Sequence, residues 1–266
     1  MSSDTSIITL RWNTRSVDIE YQTLFPERRE APLLIFLHEG LGSVSMWRDY
    51  PQRLCDAGGF RGLVYSRLGY GHSTPRSLSE PLAPDFMHVQ AQQVLPAFLE
   101  ALGIDARKDR PWLFGHSDGG SIALLYAAQF PDAIAGLVVA APHLFVEDLS
   151  VQSIAKAKTA FETTALRDKL ARYHQDVDSA FRGWNDVWLS PEFRDWNIEN
   201  EVQKIRCPVL AVQGHDDEYG TMAQIDSIAR LAPDTRLLKL DHCGHSPHRD
   251  QPDVLSQAVC DFINTP

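Results

Sequence analysis

The sequence predicts a three-layer α/β/α sandwich on a mostly parallel sheet of roughly eight strands, with a helical cap inserted past its middle. Three observations carry that expectation. Short β-rich runs alternate with amphipathic segments through most of the 266 residues, as strands joined by helical crossovers do. Runs such as "PLLIFLH" and "IAGLVVAA" are apolar without alternation, which suits strands covered on both faces. One stretch between two strands is far too long for an ordinary crossover and reads as helices. The core is therefore expected over 1–146 and 206–266, with 147–205 as the cap.

Each element follows in order. "SIITLRW" and "VDIEYQTL" succeed one another across a polar "NTRS" turn and predict an antiparallel hairpin. "PLLIFLH" is a buried strand, "MWRDYPQRLCDAG" a helix stopped by Gly58 and Gly59, and "RGLVYSR" the next strand. "DFMHVQAQQVLPAFLEALG" has helical periodicity interrupted by Pro96, which should kink the helix or end one part of it. "PWLFG" is a short strand, "GGSIALLYAAQF" a helix closed by Pro131, and "IAGLVVAA" another strand. The cap reads as three helical stretches, "SIAKAKTAFETTALRDKLARYHQ", "DSAFRGWNDVWL" and "SPEFRDWNIENEVQKI". "CPVLAVQG" and "TRLLKLD" complete the strands, and a last helix covers 251–263.

Composition narrows the function. A hydrophobic fraction of 44% and a charged fraction of 23% are ordinary for a globular protein. The formal charge of −10 disfavours nucleic acid, which demands a basic footprint. No apolar run approaches the roughly 18 residues of a spanning helix, and the opening "MSSDTSIITLRW" lacks the basic and apolar regions of a signal peptide. A cytoplasmic protein acting on a small molecule, with no membrane partner, is expected, and its oligomeric state is not legible. Cys55, Cys207, Cys243 and Cys260 are scattered as in a reduced compartment. His242, Cys243, His245 and His248 have zinc-ligand chemistry but lack a second Cys/His pair at finger spacing. Neither a metal nor a cofactor is expected.

Chemistry concentrates at Gly115-His116-Ser117-Asp118-Gly119, a G-x-S-x-G sequence lying after a strand and before a helix. The glycines relieve crowding at a sharp turn that exposes the Ser117 hydroxyl at the carboxyl edge of the sheet. A serine hydroxyl is a weak nucleophile without a base, and that base needs an orienting carboxylate. Asp216 and Asp217 follow the strand "CPVLAVQG", and His245 follows the last strand, in the order Ser, acid, His. An oxyanion hole is also required. The Asp118 backbone and the glycine-rich "HEGLGS" after "PLLIFLH" are the expected donors.

Taken together, "LHEGLGS", "RLGYGHS", "GHSDGG", "GHDDEYG" and "CGHSPHRDQP" resemble, in order, the conserved loops of the alpha/beta-hydrolase fold superfamily. The resemblance implies the alpha/beta-hydrolase fold and selects Asp217 over Asp216, because the family's acid usually stands three residues beyond the glycine. Glu39 departs from the pattern by separating His38 from Gly40, which leaves Gly40 or Leu41 as the second oxyanion donor.

The fold hosts many reactions. Ser117 disfavours the family's dehalogenases and epoxide hydrolases, which use aspartate. Its C–C bond hydrolases of ring-cleavage dienoates typically carry Asn before the serine and Trp after the histidine, where this chain has His116 and Ser246. The expected function is hydrolysis of a carboxylic ester or related acyl bond of a small, partly apolar substrate through an acyl-enzyme on Ser117. The alternatives are a C–C bond hydrolase and a ligand-sensing member with slow turnover. Thioesterase action on acyl-CoA would need a basic cluster that the sequence does not display. Of the aromatic residues in the cap, Trp184 and Trp188 are the candidates for the substrate pocket, while most of Phe181, Phe193 and Trp196 should form the cap's own core. Arg182 and Arg194 could meet a substrate carboxylate but read first as surface arginines; His143 and His72 are possible substrate contacts without visible partners, and Glu147 and Asp148 are secondary candidates for the triad acid.

Overall fold

The computed structural model describes residues 5–264; residues 1–4, part of the opening stretch read for a leader, and 265–266 lie outside the described residues. The hairpin forms as expected: β1 (Ser6–Trp12) pairs antiparallel with β2 (Arg15–Leu24). Its turn is tighter than "NTRS", because Asn13 adopts φ 54°, a left-handed value that asparagine tolerates. β3 (Leu33–Leu37) is buried at every position. Leu33, Ile35 and Leu37 enter one core layer while Leu34 and Phe36 enter the other, which is why the run does not alternate. Each such side chain contributes roughly 1.5–3 kcal/mol on burial.

α1 (Tyr50–Gly58) begins later than the sequence suggests. Ser45–Trp47 form a separate 3-10 turn and Arg48 takes φ 55°. Trp47 is drawn into the core against Phe36 and Phe114, and Pro51 marks the true first turn. β4 (Arg61–Tyr65) follows. Pro96 neither ends nor breaks its helix: α2 (Phe86–Val89) passes through a π-turn, Gln90–Val94, into α3 (Leu95–Ala101). The wider turn absorbs the proline, whose ring and missing N–H an α-turn accommodates poorly. α4 (Ala106–Asp109) leads to β5 (Trp112–His116), α5 (Asp118–Gln129) and β6 (Gly136–Ala140).

Between β6 and the next strand stand α6 (Asp148–Thr163), α7 (Leu166–Leu170), α8 (Val177–Trp188) and α9 (Glu199–Val202). The first expected helix of this segment breaks in two at Thr164, which is extended. The Thr163 and Thr164 hydroxyls donate to the carbonyls of Thr159 and Ala160 at 2.7 and 2.6 Å, the back-bonding of β-branched residues that weakens a helix. The third expected helix is mostly loop, with one 3-10 turn at Pro191–Phe193; Asn197 caps the following turn by accepting from the Glu199 N–H at 2.8 Å.

β7 (Val209–Gly214), α10 (Ala223–Leu231), β8 (Thr235–Leu240), α11 (Pro247–Asp250) and α12 (Pro252–Asn264) complete the chain. The sheet has eight strands in the order β1-β2-β4-β3-β5-β6-β7-β8. β2 meets β4 antiparallel, and every pairing from β4 to β8 is parallel. The loops after β3, β5, β7 and β8 therefore gather at one carboxyl edge, where open α/β sheets form their ligand sites. Among the described residues, no helix is long and apolar enough to cross a membrane.

Candidate active site

The turn between β5 and α5 is the sharpest feature of that edge. Ser117 sits at φ 54° and ψ −122°, a strained conformation for a residue with a side chain. It is held there by its N–H donating to Ala140 O at 2.9 Å and its carbonyl accepting from Gly120 and Ser121 N–H at 2.8 and 3.1 Å. A Cβ at Gly119 would overlap the Leu37 carbonyl, and one at Gly115 would overlap the Gly119 backbone. Only glycine lets the elbow pass so close to β3.

Ser117, His245 and Asp217 form a continuous hydrogen-bonded chain. His245 Nε2 lies 2.9 Å from Ser117 Oγ, and His245 Nδ1 lies 2.9 and 3.0 Å from the two Asp217 oxygens. A carboxylate only accepts, so Nδ1 carries the proton and Nε2 is left to accept from the serine. Asp217 also accepts from Gln213 Nε2 at 2.6 Å and from the Tyr219 and Gly220 N–H groups at 2.8 and 3.2 Å. Burial alone would raise the Asp217 carboxyl, but His245 and the Tyr219 N–H hold it below its usual value. Burial pulls His245 down, and Asp217 more than offsets it, so the imidazole stays above its ordinary value. Asp216 is exposed and takes no part.

The residues expected to supply oxyanion donors border the same space. Asp118, Gly40 and Leu41 line a cavity of about 180 Å³ together with Ser117 and His245. Asp118 opens α5, where the first N–H groups have no intrahelical acceptor. The loop after β3 is anchored by His38, whose Nε2 accepts from the Arg67 N–H at 2.9 Å and whose Nδ1 therefore donates to Glu39 O at 2.6 Å. Trp184 and Trp188 line the cavity. Trp184 packs so closely on Gly40 that no Cβ would fit there, and Trp188 Nε1 donates to Asp118 Oδ1 at 3.2 Å. Burial pushes the Asp118 carboxyl up to about 6, although Arg67 stands 3.9 Å away.

Residues 34–258 match the alpha/beta hydrolase family. The chain belongs to that family. It is 22% identical to 2-hydroxy-6-oxo-6-phenylhexa-2,4-dienoate hydrolase of Comamonas testosteroni, covering 90% of each chain. It is 23% identical to proline iminopeptidase of Lactobacillus helveticus, covering 88% of this chain and 90% of that one. Among solved structures, a hydrolase from Pseudomonas aeruginosa superposes with a TM-score of 0.75 over 100% of both chains at 18% identity, a likeness of fold.

Other residues fall into place around this family member's site. His143, left outside the expected site, is buried in the cavity wall with its ring centroid 4.9 Å from Trp188 and 5.9 Å from His245. Burial drives its pKa down to about 3, so it is neutral. Ile154, Glu218 and Tyr219 also line the cavity without having been anticipated. Phe161, Phe181, Phe193 and Trp196 stack among themselves, as Phe161–Phe181 at 3.8 Å and Phe193–Trp196 at 5.2 Å. Arg182 lines a separate cleft, Arg194 pairs with Asp148, and His72 is exposed. Glu147 accepts from the Thr221 N–H and Oγ1 at 2.9 and 2.7 Å, which removes it as a triad acid. Among the described residues, no group of three or more His, Cys, Asp or Glu is disposed to hold a metal ion.

Proposed function

We propose that the protein is a serine hydrolase that cleaves a carboxylic ester or related acyl bond of a small, partly apolar substrate through an acyl-enzyme on Ser117. The observation that carries this reading is the Ser117–His245–Asp217 chain opening onto the cavity. Ser117 Oγ attacks the acyl carbonyl while His245 Nε2 takes its proton. The Asp118 N–H and an N–H from Gly40 or Leu41 meet the charge on the tetrahedral oxygen. His245 returns the proton to the departing alcohol, and a water activated by the same nitrogen releases the acid. Asp217 keeps the imidazole in the required tautomer and offsets its charge in the transition state.

The cavity of about 180 Å³ is below the roughly 300 Å³ at which sites for larger ligands begin, which supports a short acyl group. Its lining includes the carboxylate residues Glu39 and Glu218 and no Lys or Arg. An anionic dienoate would meet like charge there, which favours a neutral ester over the C–C bond substrate. The test is steady-state hydrolysis of p-nitrophenyl esters of increasing acyl length, beside a 2-hydroxy-6-oxo-dienoate, by wild type and Ser117→Ala. Fast release from a short ester that falls by at least about 10³-fold in the variant is expected. Preference for the dienoate, or turnover that survives the loss of the serine hydroxyl, would overturn the reading.

A further inference from the structure

Glu39 stands where three loops of the site meet, and nothing in the proposed reaction steps uses it. Its side chain is 17% exposed. One oxygen lies 3.5 Å from Nδ1 of His116, which precedes Ser117 in the elbow, and the other lies 3.5 Å from Nη2 of Arg249, which follows His245. Its backbone carbonyl accepts from Arg67 Nη2 at 2.8 Å. Glu39 thus belongs to the loop after β3 and touches the end of β5 and α11, the short helix after His245.

The contact with His116 reaches the base itself. His116 is 1% exposed, and its Nε2 lies 2.7 Å from the backbone carbonyl of His245, to which it must donate. The His245 N–H is held on its other side by Glu218 Oε2 at 3.3 Å. The main chain of His245 is therefore clamped by two side chains, and one clamp is set by the orientation of the His116 ring. That ring lies between the carbonyl that accepts from Nε2 and the Glu39 carboxylate, which faces Nδ1 across 3.5 Å as an ion-pair contact when the ring carries both protons. A flipped ring would turn a carbon toward the carbonyl and lose the clamp. Burial would raise the Glu39 carboxyl, but His116, His248 and Arg249 hold it well below the usual range, so it stays an acceptor.

We infer that Glu39 is a positioning residue: through His116 and Arg249 it fixes the oxyanion loop, the serine elbow and the His245 loop relative to one another. The inference rests on the reading of Ser117 as nucleophile. Its effect is on orientation at the reacting atoms, where a displacement near 1 Å can cost about 100-fold.

The test uses a fluorophosphonate, which needs no knowledge of the natural substrate. Ser117 oxygen bonds to phosphorus, fluoride leaves, and the hydroxyl proton passes to His245. Second-order labelling rates are measured for wild type, Ser117→Ala, Glu39→Gln, Glu39→Asp, His116→Gln and the Glu39→Gln/His116→Gln double variant, with kcat and KM on the best p-nitrophenyl ester and a melting curve for each. Glu39→Gln and His116→Gln are each expected to slow labelling and kcat by roughly 10- to 100-fold, with KM within about twofold and cooperative melting retained. The double variant should be no slower than the slower single one, since both act on one clamp. Glu39→Asp, with its charge on a shorter arm, should fall between wild type and Glu39→Gln. Wild-type labelling at Ser117 with unchanged rates in Glu39→Gln, or fully additive losses in the double variant, would overturn the inference alone. Failure of wild type to label at Ser117 would overturn the nucleophile reading and this inference with it.

Discussion

Asp217→Asn tests the electrostatics of the site with little change of shape. In wild type the carboxylate accepts four N–H groups, from His245, Gln213, Tyr219 and Gly220. An amide has one oxygen. Placed on the Oδ1 side, it keeps Tyr219, Gly220 and His245 but turns its own N–H₂ against Gln213 Nε2. Gln213 can rotate to offer Oε1, which has no partner at present, but it then loses its bond to Gly220 O at 3.0 Å. One buried contact is lost either way, costing about 1–3 kcal/mol of stability. The larger effect expected from the proposed acyl transfer is on the imidazolium formed during it. With charge centres about 4 Å apart and an effective dielectric near 20, the pair is worth about 4 kcal/mol. That corresponds to roughly 10³-fold in kcat. The pH dependence gives an independent sign. Asp217 holds His245 above its ordinary value against the pull of burial, so the acid limb of kcat/KM should lie above about 6.5 in wild type and below it in the variant. Ester turnover from pH 4 to 9, with a melting curve at each pH, measures both. A loss of kcat under about tenfold, or an acid limb that does not move, would refute Asp217 as the orienting carboxylate.

Three further outcomes are expected. Ser117→Gly should abolish ester turnover yet raise the melting temperature, because glycine tolerates φ 54° and relieves part of the roughly 1–3 kcal/mol held at such a position; a lower melting temperature would argue against strain there. Gly119→Ala should lower stability by at least the roughly 1–3 kcal/mol of overpacking, since its Cβ meets the Leu37 carbonyl rather than a movable side chain; denaturant unfolding reads this directly. Trp184→Ala should shift the preferred p-nitrophenyl ester to longer acyl chains by removing a ring from the wall of the 180 Å³ cavity, and an unchanged preference would mean that the acyl group binds elsewhere.

What the sequence discloses follows from how narrow each physical demand is. The elbow is legible because a serine at φ 54° flanked by glycines that admit no Cβ leaves almost no other residues possible. β3 is legible because both its faces are covered. α10 has no such mark: its buried residues Ile225 and Ile228 stand among polar ones directly behind the acid loop, and the pattern passes without notice. The break at Thr164 and the loop at 194–198 depend on small local competitions between side-chain and backbone bonding, which periodicity does not weigh. Trp184 and Trp188 share a helix face with Phe181, so spacing alone does not say which rings border the cavity. Glu39 is visible only as an intrusion between His38 and Gly40, because its partners His116 and Arg249 arrive from distant parts of the chain.

The two tryptophans of α8 touch the site in different ways, and the difference bears on how specificity can change. Trp184 meets Gly40 by packing alone. Trp188 also donates a hydrogen bond to the carboxylate of Asp118, the residue whose N–H is proposed to meet the tetrahedral oxygen. A smaller residue at 184 removes volume and leaves the bond from Trp188 to Asp118 in place. A smaller residue at 188 removes volume and also strips a hydrogen bond from a buried carboxylate whose nearby guanidinium, Arg67, stands 3.9 Å away. A buried carboxylate that loses a hydrogen-bond partner is destabilised, which favours movement of the residue at the start of α5. Cavity size and donor placement are therefore separable at Trp184 and coupled at Trp188, and changes in acyl preference without loss of turnover belong to the first position.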